Sequence, residues 1–224
     1  MKKITLLFAV LSLIGSSAIA QFSKGETPPK LIQGNLLLSV TSTISLDGTW
    51  GSELMSLGFT STKHKYGSDP AEDAYKCTHY NFLPRAGYFV IDNLAVGIEV
   101  ILGGYKEKSA NDYDNWSESM FGIGPFARYY YPLDKFYPFA EVEAIVGSEK
   151  SGYNDNDYKT GLFLVGVYLG AAFPLGEKVT FDAEIGYAHA TFTHKGSGVE
   201  DLDSKEITGG VILKAGFSVY LPIK

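Results

Sequence analysis

The sequence predicts an all-β fold, an eight-stranded antiparallel transmembrane β-barrel with up-and-down (meander) connections. Runs of roughly 10 to 14 residues alternate between apolar and small or polar side chains, as strands do. The connections between these runs alternate between short and long, and only one face of each run carries charge. Aromatic residues make up 14% of the chain and 25 residues are Gly, a composition that suits strands and tight turns.

The composition excludes several other classes of protein. A single cysteine, Cys77, which the pattern places in a loop, excludes a disulfide framework and a multi-thiolate zinc site. The chain has 19 Lys and Arg against 25 Asp and Glu, so its net charge of −6 argues against a nucleic-acid partner.

The first residues have the pattern of an export signal. Lys2 and Lys3 precede the apolar run 4–14, and Ala18 and Ala20 have the spacing of a cleavage site. A membrane anchor is the alternative, because residues 4–23 carry no charge, but the apolar core is short. We predict a cleaved signal peptide over 1–20. A polar lead-in over 21–33 and one barrel domain over 34–224 then follow.

The spacing of the connections is the most informative pattern. Short turns join consecutive runs and alternate with long polar segments, as the tight turns and longer loops of bacterial outer-membrane barrels do. The short turns are 92–93, 132–135 and 174–177, and the long segments are 106–118, 149–160 and 193–206.

The position of the charges within each run indicates which face meets lipid. In 94–105 one face is Leu94, Val96, Ile98, Val100 and Leu102, whereas the opposite face is Ala95, Gly97, Glu99, Ile101 and Gly103. A soluble barrel would be apolar inside and charged outside. A membrane barrel is apolar towards lipid, so we predict a lumen of small and polar side chains.

Aromatic residues cluster near both ends of the runs, as they do at membrane interfaces. We therefore predict two aromatic belts. Near the short turns are Tyr88, Phe89, Tyr129, Tyr130, Tyr131, Phe136, Tyr137, Phe173, Phe181 and Tyr220, and at the opposite ends are Tyr105, Trp116, Phe121, Tyr153, Tyr158, Phe163 and Phe192.

The number of strands depends on the segment before residue 77. Seven runs lie beyond it, and 34–46 supplies an eighth. A further candidate, 53–63, would make nine, which the even number typical of these barrels excludes. Either this piece continues the first strand past a bulge at Asp47 and Gly48, or another run divides to make ten. We predict eight.

Three stretches resemble a known family. Residues 84–97, 122–132 and 214–221 are similar to the small Gram-negative outer-membrane β-barrel domains, the OmpX-like and OmpA-barrel-like proteins often called porin-like. The resemblance implies an outer-membrane location with extracellular loops and periplasmic termini. It implies as partners the outer-membrane lipids or lipopolysaccharide and the barrel assembly machinery. Such barrels commonly end in an aromatic residue, whereas Tyr220 is followed here by four residues.

The charges on the inner faces of the predicted strands form one candidate site. In a narrow barrel they must form a network of ion pairs and hydrogen bonds, because unpaired buried charge is costly. A structural plug is the favoured interpretation, and a gated or narrow conduit for small solutes is the alternative. The predicted network comprises Arg85, Arg128, Lys214, Glu99, Glu141, Glu143, Asp182 and Glu184.

Three other groups of residues give weaker evidence of a functional site. His189, His194, Ser197 and Glu200 near the outer rim would suit a lipid-modifying enzyme, but no motif supports them. The acidic stretches 112–114 and 154–157 lack the Gly and terminal Glu of a calcium loop. Gly122 and Gly124 lack the third Gly of a nucleotide fingerprint. We therefore predict no catalytic, metal or cofactor site.

The predicted function follows from these patterns. We expect a non-enzymatic outer-membrane barrel with a plugged polar lumen and exposed acidic loops, in a structural or surface-interaction (adhesin-like) role. Its loops would contact any extracellular ligand. A narrow porin for small solutes and an outer-membrane lipid-modifying enzyme are the alternatives.

Overall fold

The structure, a computed structural model, describes residues 29–44, 58–64, 72–109, 115–153, 156–194 and 204–223. The predicted signal peptide, residues 1–20, lies outside this part of the chain. No helix among the described residues is long and apolar enough to cross a membrane. The strands are β1 (Asn35–Ile44), β2 (Gly58–His64), β3 (Glu72–Ile91), β4 (Leu94–Ser109), β5 (Asn115–Tyr130), β6 (Tyr137–Tyr153), β7 (Asn156–Pro174), β8 (Val179–His194) and β9 (Ser204–Pro222).

The strands close into an antiparallel barrel. From β3 to β9 each strand pairs with the next along the chain, and β1 pairs with β9 on one side and with β3 on the other. Closure removes the exposed edges that an open sheet would present. The prediction of an eight-stranded antiparallel up-and-down barrel is confirmed.

Strand β2 shares a barrel position with β1. Residues 36–41 of β1 pair with 83–88 of β3, and 58–64 of β2 pair with 72–79 of the same strand. Both pairings are antiparallel, and β4 occupies the other side of β3. Strand β2 therefore continues the line of β1, which is one of the two arrangements expected for the candidate strand 53–63. The proposed bulge at Asp47 and Gly48 lies outside the described residues.

The strands are longer than the alternation predicted. The ladder of β4 with β5 continues through Lys108 and Asn115, and that of β6 with β7 through Tyr153 and Asn156. These extensions are polar, so they give no hydrophobic signal, although they continue the same hydrogen-bonded ladder. Cys77 lies within β3 rather than in a loop.

The barrel has two distinct ends, which we call the turn end and the loop end. Short connections 92–93, 131–136 and 175–178 lie at the turn end. The connections at the loop end, among them 110–114, 154–155 and 195–203, lie outside the described residues; the predicted long segment 149–160 is mostly strand. Outward-facing side chains between the two ends are apolar and exposed, as Val211 (71%) and Leu169 (65%) illustrate.

The aromatic residues divide between the outside and the lumen, so the two predicted belts are only partly correct. At the turn end Tyr88 and Tyr129 are exposed, whereas Phe89, Tyr130 and Tyr220 are buried. The two groups differ because neighbouring positions on a strand face opposite sides. At the loop end Phe121 and Phe163 face outward, but Tyr105 and Trp116 share the strand faces of lumen residues and Phe192 packs inside.

Candidate functional site

The structure brings all eight residues of the predicted network together in the lumen. Their side chains converge from β3, β4, β5, β6, β8 and β9, and each is almost completely shielded from solvent. They form one layer across the barrel, which we call the charged layer. Its members are Arg85, Glu99, Arg128, Glu141, Glu143, Asp182, Glu184 and Lys214.

Arg85 connects three strands through its guanidinium group. Its Nε lies 2.6 Å from Glu99 Oε2, its Nη2 lies 2.9 Å from Glu141 Oε1, and its Nη1 lies 3.2 Å from Glu184 Oε1. These carboxylates come from β4, β6 and β8, so one arginine ties opposite walls of the barrel together. The planar, five-donor guanidinium suits such multiple contacts better than a lysine ammonium would.

Arg128 makes a second set of contacts nearer to the turn end. Its Nε donates to Glu141 Oε2 at 2.5 Å, and its Nη1 donates to Asp182 Oδ2 at 2.6 Å. Its Nη2 lies 3.3 Å from Glu184 Oε1. The guanidinium carbon lies 4.0 Å from the centre of the Phe139 ring, so the cation also contacts an aromatic face.

Lys214 is the third cation of the layer. Its Nζ donates to Glu143 Oε2 at 2.7 Å and lies 3.7 Å from the centre of the Tyr168 ring. Tyr168 in turn donates its hydroxyl hydrogen to Glu143 Oε1 at 2.7 Å. Glu143 is therefore bound through both carboxylate oxygens.

The strand register explains why these opposite charges meet. Arg85 is the direct cross-strand partner of Glu99, and Arg128 is that of Glu141. Direct partners share one face of a sheet and have adjacent Cβ atoms. A register shift between Phe89 and Ile91 sets the first of these pairs, because without this extra residue Ala86 would lie opposite Glu99.

The charged layer is not electrically balanced. It contains five carboxylates and three cationic side chains. Glu99, Glu141 and Glu143 place oxygen atoms within 4.8 Å of one another, a spacing that could hold a metal ion. The Arg85 and Lys214 side chains bind the same carboxylates, however. Glu99 Oε1 and Glu184 Oε2 are buried and accept no hydrogen bond.

An aromatic layer closes the lumen between the charged layer and the turn end. Phe89, Tyr130 and Tyr220 pack with ring centroids 6.0 to 6.3 Å apart. Thr180 links this layer to the charges, because its hydroxyl lies 3.2 Å from that of Tyr220 and donates to Asp182 Oδ1 at 2.6 Å. Ser218 also donates to Asp182 at 2.6 Å. Only a small residue fits beside these rings at position 87, because a Cβ on Gly87 would lie 2.9 Å from the Phe126 ring.

A short N-terminal strap, residues 29–34, covers the aromatic layer. Leu31 is 6% exposed and belongs to the same apolar cluster as Phe89 and Tyr137. Backbone contacts hold the strap in place, since Asn93 donates to Leu31 O at 2.8 Å and Tyr137 donates its hydroxyl hydrogen to Pro29 O at 3.0 Å. This part of the predicted polar lead-in 21–33 therefore packs on the barrel.

A third layer, apolar and on the loop-end side of the charges, differs from the small and polar lumen that was predicted. Leu83, Ile101 and Ile145 are its most buried members. The alternation places all three on the inner faces, but single apolar residues among charged and small ones did not predict that they pack together. The other members are Leu162 and Leu164, with Met120, Ala190 and Phe192 packed against them.

The residues considered for other chemistry do not form a site in the described part of the chain. His189 is exposed on the outward face of β8, and the side chains of His194, Ser197 and Glu200 lie outside the described residues. The acidic stretch 112–114 also lies outside them. Gly122 and Gly124 lie within β5, where a Cβ on Gly122 would lie 2.8 Å from Ile145.

Solved structures of several outer-membrane proteins are similar to this chain in fold. The outer membrane protein OprG from Pseudomonas aeruginosa is 13% identical, with a TM-score of 0.44 over 88% of this chain and 100% of that one. Neisserial surface protein A is 17% identical, with a TM-score of 0.44 over 84% and 97%. The N-terminal β-barrel domain of Pseudomonas aeruginosa OprF is 10% identical, with a TM-score of 0.41 over 85% and 99%.

A comparison with curated protein sequences finds no match. The model of one family, described as the outer membrane protein beta-barrel domain, matches residues 7–214. This match covers most of the chain and includes every strand of the barrel except the end of β9. The chain belongs to the outer membrane protein β-barrel domain family.

Proposed function

We propose that this protein is a non-conducting barrel of the outer membrane with a structural or surface-interaction role. In this proposal the loop end faces the cell exterior and both chain ends face the periplasm. The observation that carries the proposal is the filled lumen, in which the charged layer lies between two apolar layers.

The lumen chemistry supports the absence of conduction. An ion that moved along the barrel axis would have to break the contacts of Arg85 and Arg128 with their carboxylates. It would also have to pass the rings of Tyr130 and Tyr220, which are buried at the turn end. Open aqueous channels are typical of barrels with about 16 to 18 strands, which are much wider.

The loop sequences support a role at the cell surface. The connections 110–114 and 195–203 contain five acidic residues and one lysine. Their solvation and negative charge suit contact with a basic or polar extracellular partner rather than burial in lipid. An enzymatic role has no comparable support, because His189 is on the outward face of β8 whereas the carboxylates of the charged layer are inside the barrel.

Solute uptake by vesicles tests the proposal. Vesicles that contain the refolded full chain should swell in isotonic arabinose or glycine no faster than protein-free vesicles. Faster swelling would support the alternative, a narrow porin for small solutes. In cells, the triple variant E200Q/D201N/D203N should leave the barrel intact, as judged by heat-dependent gel mobility, and reduce binding to a polycationic surface.

A further inference from the structure

On β4 and β6 the charges at the loop end of the barrel are separated by sign between the two faces of the wall. On β4 the order is Lys106, Glu107, Lys108, and on β6 Glu149 precedes Lys150. Because side chains alternate across a strand, lysines occupy outward positions and glutamates inward positions. The lysines Lys106, Lys108 and Lys150 are exposed, whereas Glu107 and Glu149 are half-buried.

Two more strands continue this outward set of lysines. Lys159 on β7 and Lys205 on β9 are exposed and share the faces of the apolar residues Phe163 and Ile207. We call these five outward lysines the basic collar: Lys106, Lys108, Lys150, Lys159 and Lys205. On all four strands that contribute to the collar, a lysine is the first charged outward residue beyond the apolar run.

The collar lies at the height of a lipid headgroup. On β4 the outward apolar run extends from Leu94 to Leu102, which is about 27 Å along the strand at ~3.4 Å per residue. A tilt of roughly 40° reduces this to about 20 Å of height, close to the ~25 Å apolar band of such barrels. Lys106 and Lys108 therefore lie just beyond the hydrocarbon, where headgroups begin.

The lysines lack partners within the described part of the protein. None of the five forms an ion pair with a described residue, and Lys150 is the direct cross-strand partner of Lys159. Like charges directly opposite each other destabilise a sheet unless something neutralises them. The rim glutamates are held on the inner side, since Tyr105 donates to Glu107 Oε2 at 2.6 Å and Trp116 donates to Glu118 Oε1 at 2.7 Å.

The turn end shows no such sorting. Its exposed charges are mixed, with Asp134 beside Lys135 and Glu177 beside Lys178. Among the side chains that the structure describes, the outward charges of the loop-end rim are thus all basic, whereas those of the turn end nearly balance. This asymmetry suits a bilayer whose two leaflets differ in anionic charge.

We propose that the basic collar binds the phosphate groups of a phosphorylated lipid in the outer leaflet. Lys150 and Lys159 would share one phosphate between neighbouring strands, and Lys106 with Lys108 would form a second contact. The acyl chains of the same lipid would lie against the apolar run below the collar. This inference rests on the proposed orientation of the barrel, with its loop end outward.

Lipid retention measured by native mass spectrometry tests the collar. The refolded full chain in detergent is incubated with lipid A, or with lipid A from which the phosphates have been removed. We expect K150Q/K159Q to bind lipid A roughly 10- to 30-fold more weakly than wild type, from the loss of two lysine contacts. Wild type should bind the dephosphorylated lipid at least as weakly as this variant binds lipid A, because that lipid loses the contact at Lys106 and Lys108 as well.

The control is K135Q/K178Q, which removes the same charge from the turn end and should retain lipid A as wild type does. If K150Q/K159Q does not fold, judged by heat-dependent gel mobility, K106Q/K108Q takes its place. Equal retention by collar and control variants, or equal retention of both lipids, would overturn the proposal. The barrel has no defined orientation in detergent, so a negative lipid result would not test whether the barrel conducts. The vesicle swelling assay tests that separately.

Discussion

Arg85 and Glu99 lie directly opposite each other on neighbouring strands, and Arg85 Nε donates a 2.6 Å hydrogen bond to Glu99 Oε2 inside the barrel. Both side chains are completely shielded from solvent. A charge in such a place is stable only with partners, so each member of the layer depends on the others. This dependence makes the layer sensitive to the removal of a cation.

Replacement of Arg128 should strongly destabilise the barrel. R128M leaves Glu141 and Asp182 without their closest cationic partner, and breaking a buried pair costs about 3–5 kcal/mol. Urea unfolding in lipid vesicles measures the change in the free energy of unfolding. K135M, at an exposed turn residue, is the control and should change it by less than about 0.5 kcal/mol. A loss for R128M no larger than this control would contradict the account.

Replacement of Glu184 should cost much less than replacement of Arg128. The layer has two more carboxylates than cations, and the amide oxygen of E184Q can still accept from Arg85 Nη1 and Arg128 Nη2. We expect a change below about 1 kcal/mol, in either direction, because a hydrogen bond is kept while a repulsion is removed. The same urea titration gives the value. Equal losses for E184Q and R128M would show that the excess negative charge is unimportant.

Enlargement of Gly87 should disturb the packing beside Arg85. A Cβ at this position would lie 2.9 Å from the Phe126 ring, whose centre is 5.8 Å from the Arg85 guanidinium carbon. We expect G87V to lower the free energy of unfolding by about 1–3 kcal/mol through overpacking. G210A is the control, because no atom lies within 4 Å of a Cβ there. If G87V and G210A have the same free energy of unfolding, the Phe126 ring can move aside without cost, which would contradict this prediction.

Truncation of Leu31 should show whether the N-terminal strap contributes to stability. L31A removes a side chain that is 6% exposed, whereas I32A truncates its 47% exposed neighbour. We expect a loss of about 2 kcal/mol for L31A, at the lower end for buried leucines, and little change for I32A. Thermal unfolding followed by gel mobility compares the two. Similar melting temperatures for L31A and I32A would indicate that the strap is peripheral.

The fold could be predicted from the sequence because alternation and turn spacing are local signals. The same signals did not predict the polar strand extensions. Alternation placed Leu83, Ile101 and Ile145 on the inner faces but did not predict that they pack into an apolar layer. The charged residues of the layer were found because charge at an inward position is rare. The pairing of Arg85 with Glu99 depends on the extra residue between Phe89 and Ile91, which no turn motif predicts. Leu31 was missed because Leu31 and Ile32, two adjacent apolar residues in a polar segment, show no periodicity.

The ion conductance of single barrels in planar bilayers tests the central claim most directly, namely that three packed layers seal the lumen. The account predicts no steady conductance for the refolded full chain at up to about 100 mV, beyond that of the protein-free bilayer. Because permeant ions are far smaller than sugars, they are the most sensitive probe of a residual path. Stable, single-sized conductance steps from the wild-type barrel would contradict it.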